Sequence, residues 1–202
     1  MNPARPISAL ILCAGRSSRM GTAKALLPFR GATVAEQSIR LFRSAGIDDI
    51  LFVLGHEPEG IMEILERHAV RWSINPHYDD GMFSSIQCGV RALGSVRGFF
   101  VHPVDMPLVR PDTLEALLRS FQEGRAVVCR PCFRAKRGHP PLLSSVLIPE
   151  LLGFQGDGGL RAFLRERAED SLDVSCGDPG ILMDLDRMED YLDFPQELPP
   201  GK

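Results

Sequence analysis

The sequence predicts a three-layer α/β fold, in which a mostly parallel sheet is covered by helices on both faces. Two observations support this prediction. Short apolar segments alternate with longer amphipathic ones over residues 7–130, and the first apolar segment stops at a glycine beside a cluster of cations. Strands that alternate with helices form right-handed βαβ crossovers and hence parallel sheets. Ligands of such sheets bind at the carboxyl ends of the strands.

The elements follow one another in a regular order. Ile7–Leu12 is apolar and uncharged, which is typical of a strand buried on both faces. From Thr33 to Ala45 apolar residues recur at helical spacing, and Gly46 follows where a helix C-cap is expected. Further strands are predicted at residues 50–54, 70–74, 98–102 and 126–130, and further helices at residues 57–68, 84–93, 111–122 and 159–167. From Arg134 the alternation gives way to Gly- and Pro-rich segments, and we expect one domain over residues 1–194 with a flexible tail at 195–202.

The bulk composition excludes several classes of protein. Apolar residues make up 44% and charged residues 24%, as in ordinary globular proteins. A net charge of −3 gives no overall attraction to nucleic acid, and no apolar stretch approaches the roughly 18 residues that would indicate a membrane span. Five cysteines, an odd number, favour free thiols in a reducing compartment. We therefore expect a cytoplasmic protein with no nucleic-acid or membrane partner.

The loop after the first strand, residues 12–24, carries the strongest chemical signal. Its glycines let the backbone approach a ligand, and Arg16, Arg19 and Lys24 place three cations within nine residues. Arginine grips phosphate oxygens with two donors and lysine supplies a mobile charge, so the loop suits a triphosphate. The Walker and Gly-x-Gly-x-x-Gly motifs of commoner phosphate loops do not occur. A solvated basic turn is the alternative.

The same loop resembles the L-x-x-G-x-S-x-R-M-G-x-x-K signature of the MobA-like nucleotidyltransferases, and among them the molybdenum cofactor cytidylyltransferases. Further matching blocks lie at residues 55–56, 75–76 with 81–85, 104–109, 137–140, 156–161 and 184–191. The resemblance implies a Rossmann-like fold of the nucleotide-diphospho-sugar transferase type. Seven blocks in the family's order are far more specific than any single block.

The resemblance also implies roles for individual residues. Arg19, Lys24 and Asp105 would be catalytic, and Asp105 and Asp186 would hold Mg²⁺. Arg187-Met188 stand where the family has Thr-Pro, so the turn after Asp186 departs from its pattern. The nucleotide would be bound by Ala14, Gly15, Arg16, Gly55, Asn75, Gly81, Met82, Ser84 and Ser85.

Physical reasoning leaves alternatives open at several of these positions. Asp105 follows a strand, where a hard oxygen ligand suits Mg²⁺, but it could instead cap a turn. Asp184 and Asp186 could be surface charges. Cys129-x-x-Cys132 lacks a second cysteine pair, which favours plain thiols over zinc. His139 could contact an acceptor or pack within its loop.

The function predicted on this basis is transfer of CMP from CTP to the phosphate of molybdopterin, with Mg²⁺ as cofactor and pyrophosphate as the leaving group. Cys13-Ala14-Gly15 and the paired serines resemble the branch of the family that uses CTP. The alternatives are guanylyl or other nucleotidyl transfer, for instance to a sugar phosphate, and a silent accessory protein that hands nucleotide or cofactor to a recipient molybdoenzyme. A nicotinamide-dependent oxidoreductase is disfavoured by the missing glycine motif.

Overall fold

The computed structural model describes residues 6–16, 23–124, 126–186, 189 and 191. Its strands are β1 (Ile7–Cys13), β2 (Pro28–Phe29), β3 (Ala32–Thr33), β4 (Ile50–Leu54), β5 (Arg71–Ile74), β6 (Gly98–Pro103), β7 (Val128–Phe133), β8 (Lys136–Arg137), β9 (Leu142–Ser144) and β10 (Ser171–Ser175). Its α-helices are α1 (Val34–Ser44), α2 (Glu59–Arg67), α3 (Met82–Ala92), α4 (Pro111–Gln122), α5 (Ile148–Gly153) and α6 (Gly159–Arg165). Short 3₁₀ turns lie at Lys24–Leu26, Tyr78–Asp80, Ser145–Leu147 and Pro179–Leu182.

The central sheet has the strand order β10-β7-β9-β6-β1-β4-β5, with β8 paired to β7. β1 pairs in parallel with β4 and β6, β4 with β5, and β7 with β10. β9 runs antiparallel between β6 and β7, and β8 is antiparallel to β7. Strands β2 and β3 form a separate small hairpin. The predicted mostly parallel sheet is confirmed.

Helices cover both faces of this sheet, and β1 shows why its sequence carries no charge. Ala9, Ile11 and Cys13 belong to a core cluster shared with α1, α2 and α4. Leu10 and Leu12 belong to a second cluster shared with α3, α5 and α6. Because successive strand residues point to opposite faces, both sets must be apolar. Burial of each large aliphatic side chain contributes about 1.5–3 kcal/mol.

Local signals fixed several element boundaries. Thr33 caps α1 in a capping box with Glu36, and Pro111 begins α4 in the first turn, where its missing N–H is not needed. α3 lies close against the sheet, since a Cβ added at Gly89 would come within 2.2 Å of Leu10 Cδ1 and 2.7 Å of Val53 Cγ2. This close packing brings the first turn of α3 to the carboxyl edge of the sheet.

Differences from the prediction concentrate in the second half of the chain. The strand expected at residues 126–130 is β7 and extends instead to Phe133, with Pro131 inside it. A proline within an apolar run normally argues against a strand, and for this reason the predicted strand ended too early. β8, β9, α5 and β10 were not predicted; β8 and β9 have two and three residues, too few to show periodicity. The predicted tail at 195–202 lies outside the described residues.

Among the helices that the structure describes, none combines the length and apolar character needed to cross a membrane.

Candidate active site

The carboxyl ends of three neighbouring strands meet at one edge of the sheet. The register pairs Cys13 with Leu54 and Leu12 with Pro103, so the segments that follow β1, β4 and β6 emerge side by side. A cavity of about 430 Å³ opens at this edge. We call it the loop cavity; its walls include Ala14, Gly15, Lys24, His56, Tyr78, Gly81, Met82, Ser85, Asp105 and Asp186.

Lys24 joins the two aspartates that the sequence predicted as metal ligands. Its Nζ donates hydrogen bonds of 2.9 Å to Asp105 Oδ2 and 2.9 Å to Asp186 Oδ1. The backbone N–H of Leu185 donates to the carbonyl of Asp105 at 2.8 Å, which ties the two acidic segments together. Burial lowers the pKa of Lys24, but its bonds and charge interactions with Asp105 and Asp186 outweigh burial and leave that pKa above its ordinary value.

The same carboxylates fit a divalent cation. Two oxygens that converge on one ammonium ion could converge on Mg²⁺, which prefers oxygen ligands. The pKa of nearby Asp184 is raised by burial and then by the charges of Asp186 and Asp105, against the opposing charge of Lys24. Within the described residues no group of three His, Cys, Asp or Glu side chains could hold a metal alone. Mg²⁺ takes one or two carboxylates and completes its shell with substrate phosphates and water.

Asn75 organises the opposite wall of the loop cavity. It is 3% exposed, and its Nδ2 donates to Ser84 Oγ at 2.9 Å and to Ser85 Oγ at 3.0 Å. Its Oδ1 accepts from the backbone N–H of His77 at 3.0 Å. Asn75 therefore lies behind the wall and orients Ser85, which lines the cavity.

Gly55 also supports the cavity from behind. A Cβ at Gly55 would lie 2.6 Å from the carbonyl oxygen of Ala14 and 2.8 Å from the Tyr78 side chain. No larger residue fits without moving the backbone of the first loop. The glycine thus permits the loop after β4 to close against the loop after β1.

The three cations of the first loop have different surroundings. Lys24 reaches the cavity, whereas Arg16 donates through Nε and Nη2 to Asp79 at 2.8 and 2.6 Å and lies over the Tyr78 ring. The Arg16 side chain is more than half exposed, and its guanidinium lowers the pKa of Asp79. Arg19 and the rest of residues 17–22 lie outside the described residues. Phosphate binding by Arg16 and Arg19 stays a prediction.

Sequence reasoning assigned no role to two ring-bearing side chains of the loop cavity. Tyr78 and His56 both line it, and the Tyr78 hydroxyl lies 3.4 Å from His56 Nδ1. Tyr78 stands between the Asn75-Pro76 and Gly81 blocks of the sequence, and that position is the signal by which it could have been found.

A second and larger opening adjoins the loop cavity and shares Gly81 and Met82 with it. This opening, which we call the basic cleft, has a volume of about 1670 Å³ and lies between α3, α6 and the β7–β8 hairpin. Ser84 and His139 are among its lining residues. Burial lowers the pKa of His139, against the effects of a hydrogen bond with the Val101 backbone and the charge of Asp105, so its imidazole is neutral near pH 7.

The cysteines behave as structural thiols in the part of the chain that the structure describes. All five are free. Burial, assisted by the charge of Glu123, raises the pKa of Cys129 to about 11. This supports the interpretation of Cys129-x-x-Cys132 as plain thiols.

Comparison with known families gives a direct assignment. A family model described as "MobA-like NTP transferase domain" matches residues 9–172, which include every strand of the central sheet up to β10. The chain belongs to the MobA-like NTP transferase family. The resemblance stated from the sequence motifs is therefore confirmed, and Asp186 lies just beyond the matched range.

Two curated relatives of this MobA-like chain match nearly its whole length. Nicotine blue oxidoreductase of Paenarthrobacter nicotinovorans is 28% identical over 91% of this chain and 93% of its own. The molybdenum cofactor cytidylyltransferase of Escherichia coli is 26% identical over 92% and 94%. These relatives share a family but carry different activities in their names, so membership alone does not choose a substrate.

A solved structure supports the same fold. The nucleotidyl transferase Mth528 from Methanothermobacter is 29% identical, with a TM-score of 0.78 over 93% of this chain and 94% of that one. The three-layer architecture of the nucleotidyltransferases is confirmed.

Proposed function

We propose that this protein is a Mg²⁺-dependent nucleotidyltransferase that transfers CMP from CTP to the phosphate of a molybdopterin-type acceptor and releases pyrophosphate. The observation that carries the proposal is the convergence of Lys24, Asp105 and Asp186 at the loop cavity, with both bonds at 2.9 Å. These residues come from segments 81 and 162 positions apart, yet they meet where phosphates would lie beside the first loop.

In the proposed reaction, an oxygen of the acceptor phosphate attacks the α-phosphorus of CTP in line. The bond from that phosphorus to the oxygen bridging the α- and β-phosphates breaks, and pyrophosphate leaves. The acceptor phosphate is already ionised near neutral pH, so the protein need not supply a general base. Its contribution is to position the reactants and neutralise charge.

The residues of the loop cavity have different roles in the proposed reaction. Asp105 and Asp186 would hold Mg²⁺, which when bound supplies positive charge that reduces repulsion between phosphate oxygens. Lys24, released from the two carboxylates, would neutralise charge that builds on the α-phosphate and the leaving pyrophosphate. We assign Arg19 the same role from the family signature. Ala14, Gly15 and Ser85 would enclose the base and ribose.

Preference for CTP rests on the small residues Cys13-Ala14-Gly15, on the paired serines and on the cytidylyltransferase relative. Guanylyl transfer in the same cavity is the first alternative. The name of the nicotine blue oxidoreductase relative favours a second candidate, a redox activity. A third alternative is an accessory protein that binds nucleotide without turnover. Such a protein would need the loop cavity, but the arrangement of Lys24, Asp105 and Asp186 would then have no chemical role.

The decisive experiment offers CTP, GTP, ATP and UTP in turn with Mg²⁺ and molybdopterin, and measures pyrophosphate release. We expect release with CTP alone or in strong preference. Preference for GTP would overturn the assignment of the base and leave the mechanism intact. Binding of nucleotide without pyrophosphate release would support the accessory protein, and oxidation of reduced nicotinamide in a parallel assay would support the redox candidate.

A further inference from the structure

Three charged residues meet on one face of the sheet, away from the loop cavity. Arg130 of β7 lies directly opposite Asp173 of β10, and Arg137 of β8 lies opposite Cys132 of β7. Residues two apart on a strand share a face, so Arg130, Asp173 and Arg137 point to the same side. Val128 of β7 packs with α3, α5 and α6, and therefore this side is the face of those helices. All three residues line the basic cleft.

The carboxylate of Asp173 accepts hydrogen bonds from both arginines. Asp173 Oδ1 accepts from Arg130 Nε at 2.8 Å, and Asp173 Oδ2 accepts from Arg137 Nε at 2.9 Å. Among the described residues both guanidiniums bond through Nε, which leaves the terminal nitrogens of each fork available to a ligand in the cleft. The group of three carries one net positive charge.

This net positive charge is unfavourable in free energy because part of it is buried. The side chain of Arg130 is only 7% exposed, and burial of a cation that shares its carboxylate with a second cation is unfavourable. The rest of the cleft increases the imbalance, because six cationic side chains line it against three carboxylates. The cations are Arg91, Arg130, Lys136, Arg137, Arg161 and Arg165, and the carboxylates are Asp80, Asp157 and Asp173. A chain with a net charge of −3 has thus concentrated positive charge here.

We infer that Arg130 and Arg137 form an anion-binding subsite for a second negatively charged group of the acceptor, remote from its reacting phosphate. This inference rests on the proposed function for the identity of the reaction. Each arginine fork can donate two parallel hydrogen bonds to oxygens of an anion, and a bound anion would balance the charge that Asp173 leaves uncompensated. The acceptor would extend from the shared wall at Gly81 and Met82 along the cleft.

The first test uses inorganic sulfate as the probe and needs no turnover. Arg137 is exposed enough to react with phenylglyoxal, and modification at each arginine can be followed by peptide mass spectrometry. With sulfate at about ten times its dissociation constant, modification of Arg137 should slow by about tenfold. Arg119, exposed on α4 in an ion pair with Glu115, is the internal control and should react at an unchanged rate. Arg130→Lys, which keeps the charge but loses the fork, should weaken the protection. Equal rates at Arg137 with and without sulfate would overturn the inference.

The second test separates the subsite from the proposed function. In pyrophosphate release with molybdopterin, Arg137→Ala should raise KM for the acceptor by about tenfold or more and leave KM for the nucleotide unchanged. Arg119→Ala should change neither. An unchanged acceptor KM in Arg137→Ala would contradict the subsite while the transferase stands. Protection by sulfate in a protein that turns over molybdopterin with none of the four nucleotides would contradict the proposed function while the subsite stands.

Discussion

At the scale of single residues, Lys24 lies between the two carboxylates to which the proposed function assigns Mg²⁺. We expect Lys24→Ala to lower turnover by about 10²-fold or more, because a charge aimed at the developing phosphate negative charge is lost. The free energy of unfolding should fall by only roughly 1 kcal/mol, since the paired carboxylates are partly exposed and screened. Pyrophosphate release and urea denaturation measure the two effects.

The matched control for Lys24 is Arg40→Ala, which removes an exposed cation from α1. Its turnover should equal that of the unchanged protein. If Lys24→Ala kept full turnover, the assigned role of the ammonium would be wrong. If it lost turnover only because it unfolded, the urea transition would reveal this directly.

His102 is a different kind of residue, a titratable group buried in the core. Both of its ring nitrogens lack a hydrogen-bond partner in the described part of the chain, and its ring packs edge-on against Phe42 at 5.4 Å. Burial, and secondarily the charge of His139, lowers the pKa of His102 to about 3. The folded protein therefore keeps His102 neutral at pH values where the unfolded chain binds a proton.

This difference predicts how stability depends on pH. Between about pH 6 and pH 4 the unfolded state binds one more proton at this site, so His102 should reduce the free energy of unfolding by about 1.4 kcal/mol for each unit that the pH falls. Above the unfolded pKa the effect disappears. His102→Leu should remove that part of the slope in urea denaturation at several pH values. His77→Leu, which removes an exposed imidazole, is the control. If the pH slope of the free energy of unfolding were the same in His102→Leu as in the unchanged protein, the prediction would be wrong.

At the scale of elements, α1 depends on its first turn. The Glu36 backbone N–H donates to Thr33 Oγ1 at 3.2 Å, and the Thr33 backbone N–H donates to Glu36 Oε2 at 2.7 Å. Thr33→Ala should cost about 1 kcal/mol of unfolding free energy, because one N–H of the first turn loses its acceptor. Thr33→Ser keeps the hydroxyl and should remain close to the unchanged protein in thermal or urea denaturation. Equal losses in the two variants would show that the methyl group, not the cap, is responsible.

At the scale of the whole molecule, a nucleotide in the loop cavity would join segments that follow β1, β4 and β6. Binding to the folded state alone should stabilise it by about 2.7 kcal/mol at 100 times the dissociation constant. For a chain of this size that corresponds to a rise of roughly 5–10 °C in the melting temperature. Calorimetry with CTP and Mg²⁺ measures the shift. Mg²⁺ alone should produce little, because Asp105 and Asp186 are already hydrogen-bonded to the Lys24 ammonium. No shift with any of the four nucleotides would contradict a nucleotide site in the loop cavity.

The sequence predicted the first half of the fold well because its signals there are local. An uncharged apolar run gave β1, helical spacing and Thr33 gave α1, and Pro111 gave the start of α4. The resemblance to the family's motifs also singled out Lys24, Asp105 and Asp186, and the structure brings these three together. Boundaries shifted by a few residues where a cap is weak, as at α3, which begins at Met82 and not at Ser84.

By itself, then, the sequence determined the α/β class, because strands and helices alternate along the chain. Its motif blocks determined the family, and the resemblance to that family singled out the charged residues of the loop cavity. Only the tertiary structure decided that Asn75 and Gly55 support the cavity from behind, that Arg16 bonds Asp79, and that Arg130 and Arg137 share Asp173. Those facts depend on pairing between strands and loops far apart in sequence. Such pairing depends on how the whole sheet packs, and local residue patterns do not predict it.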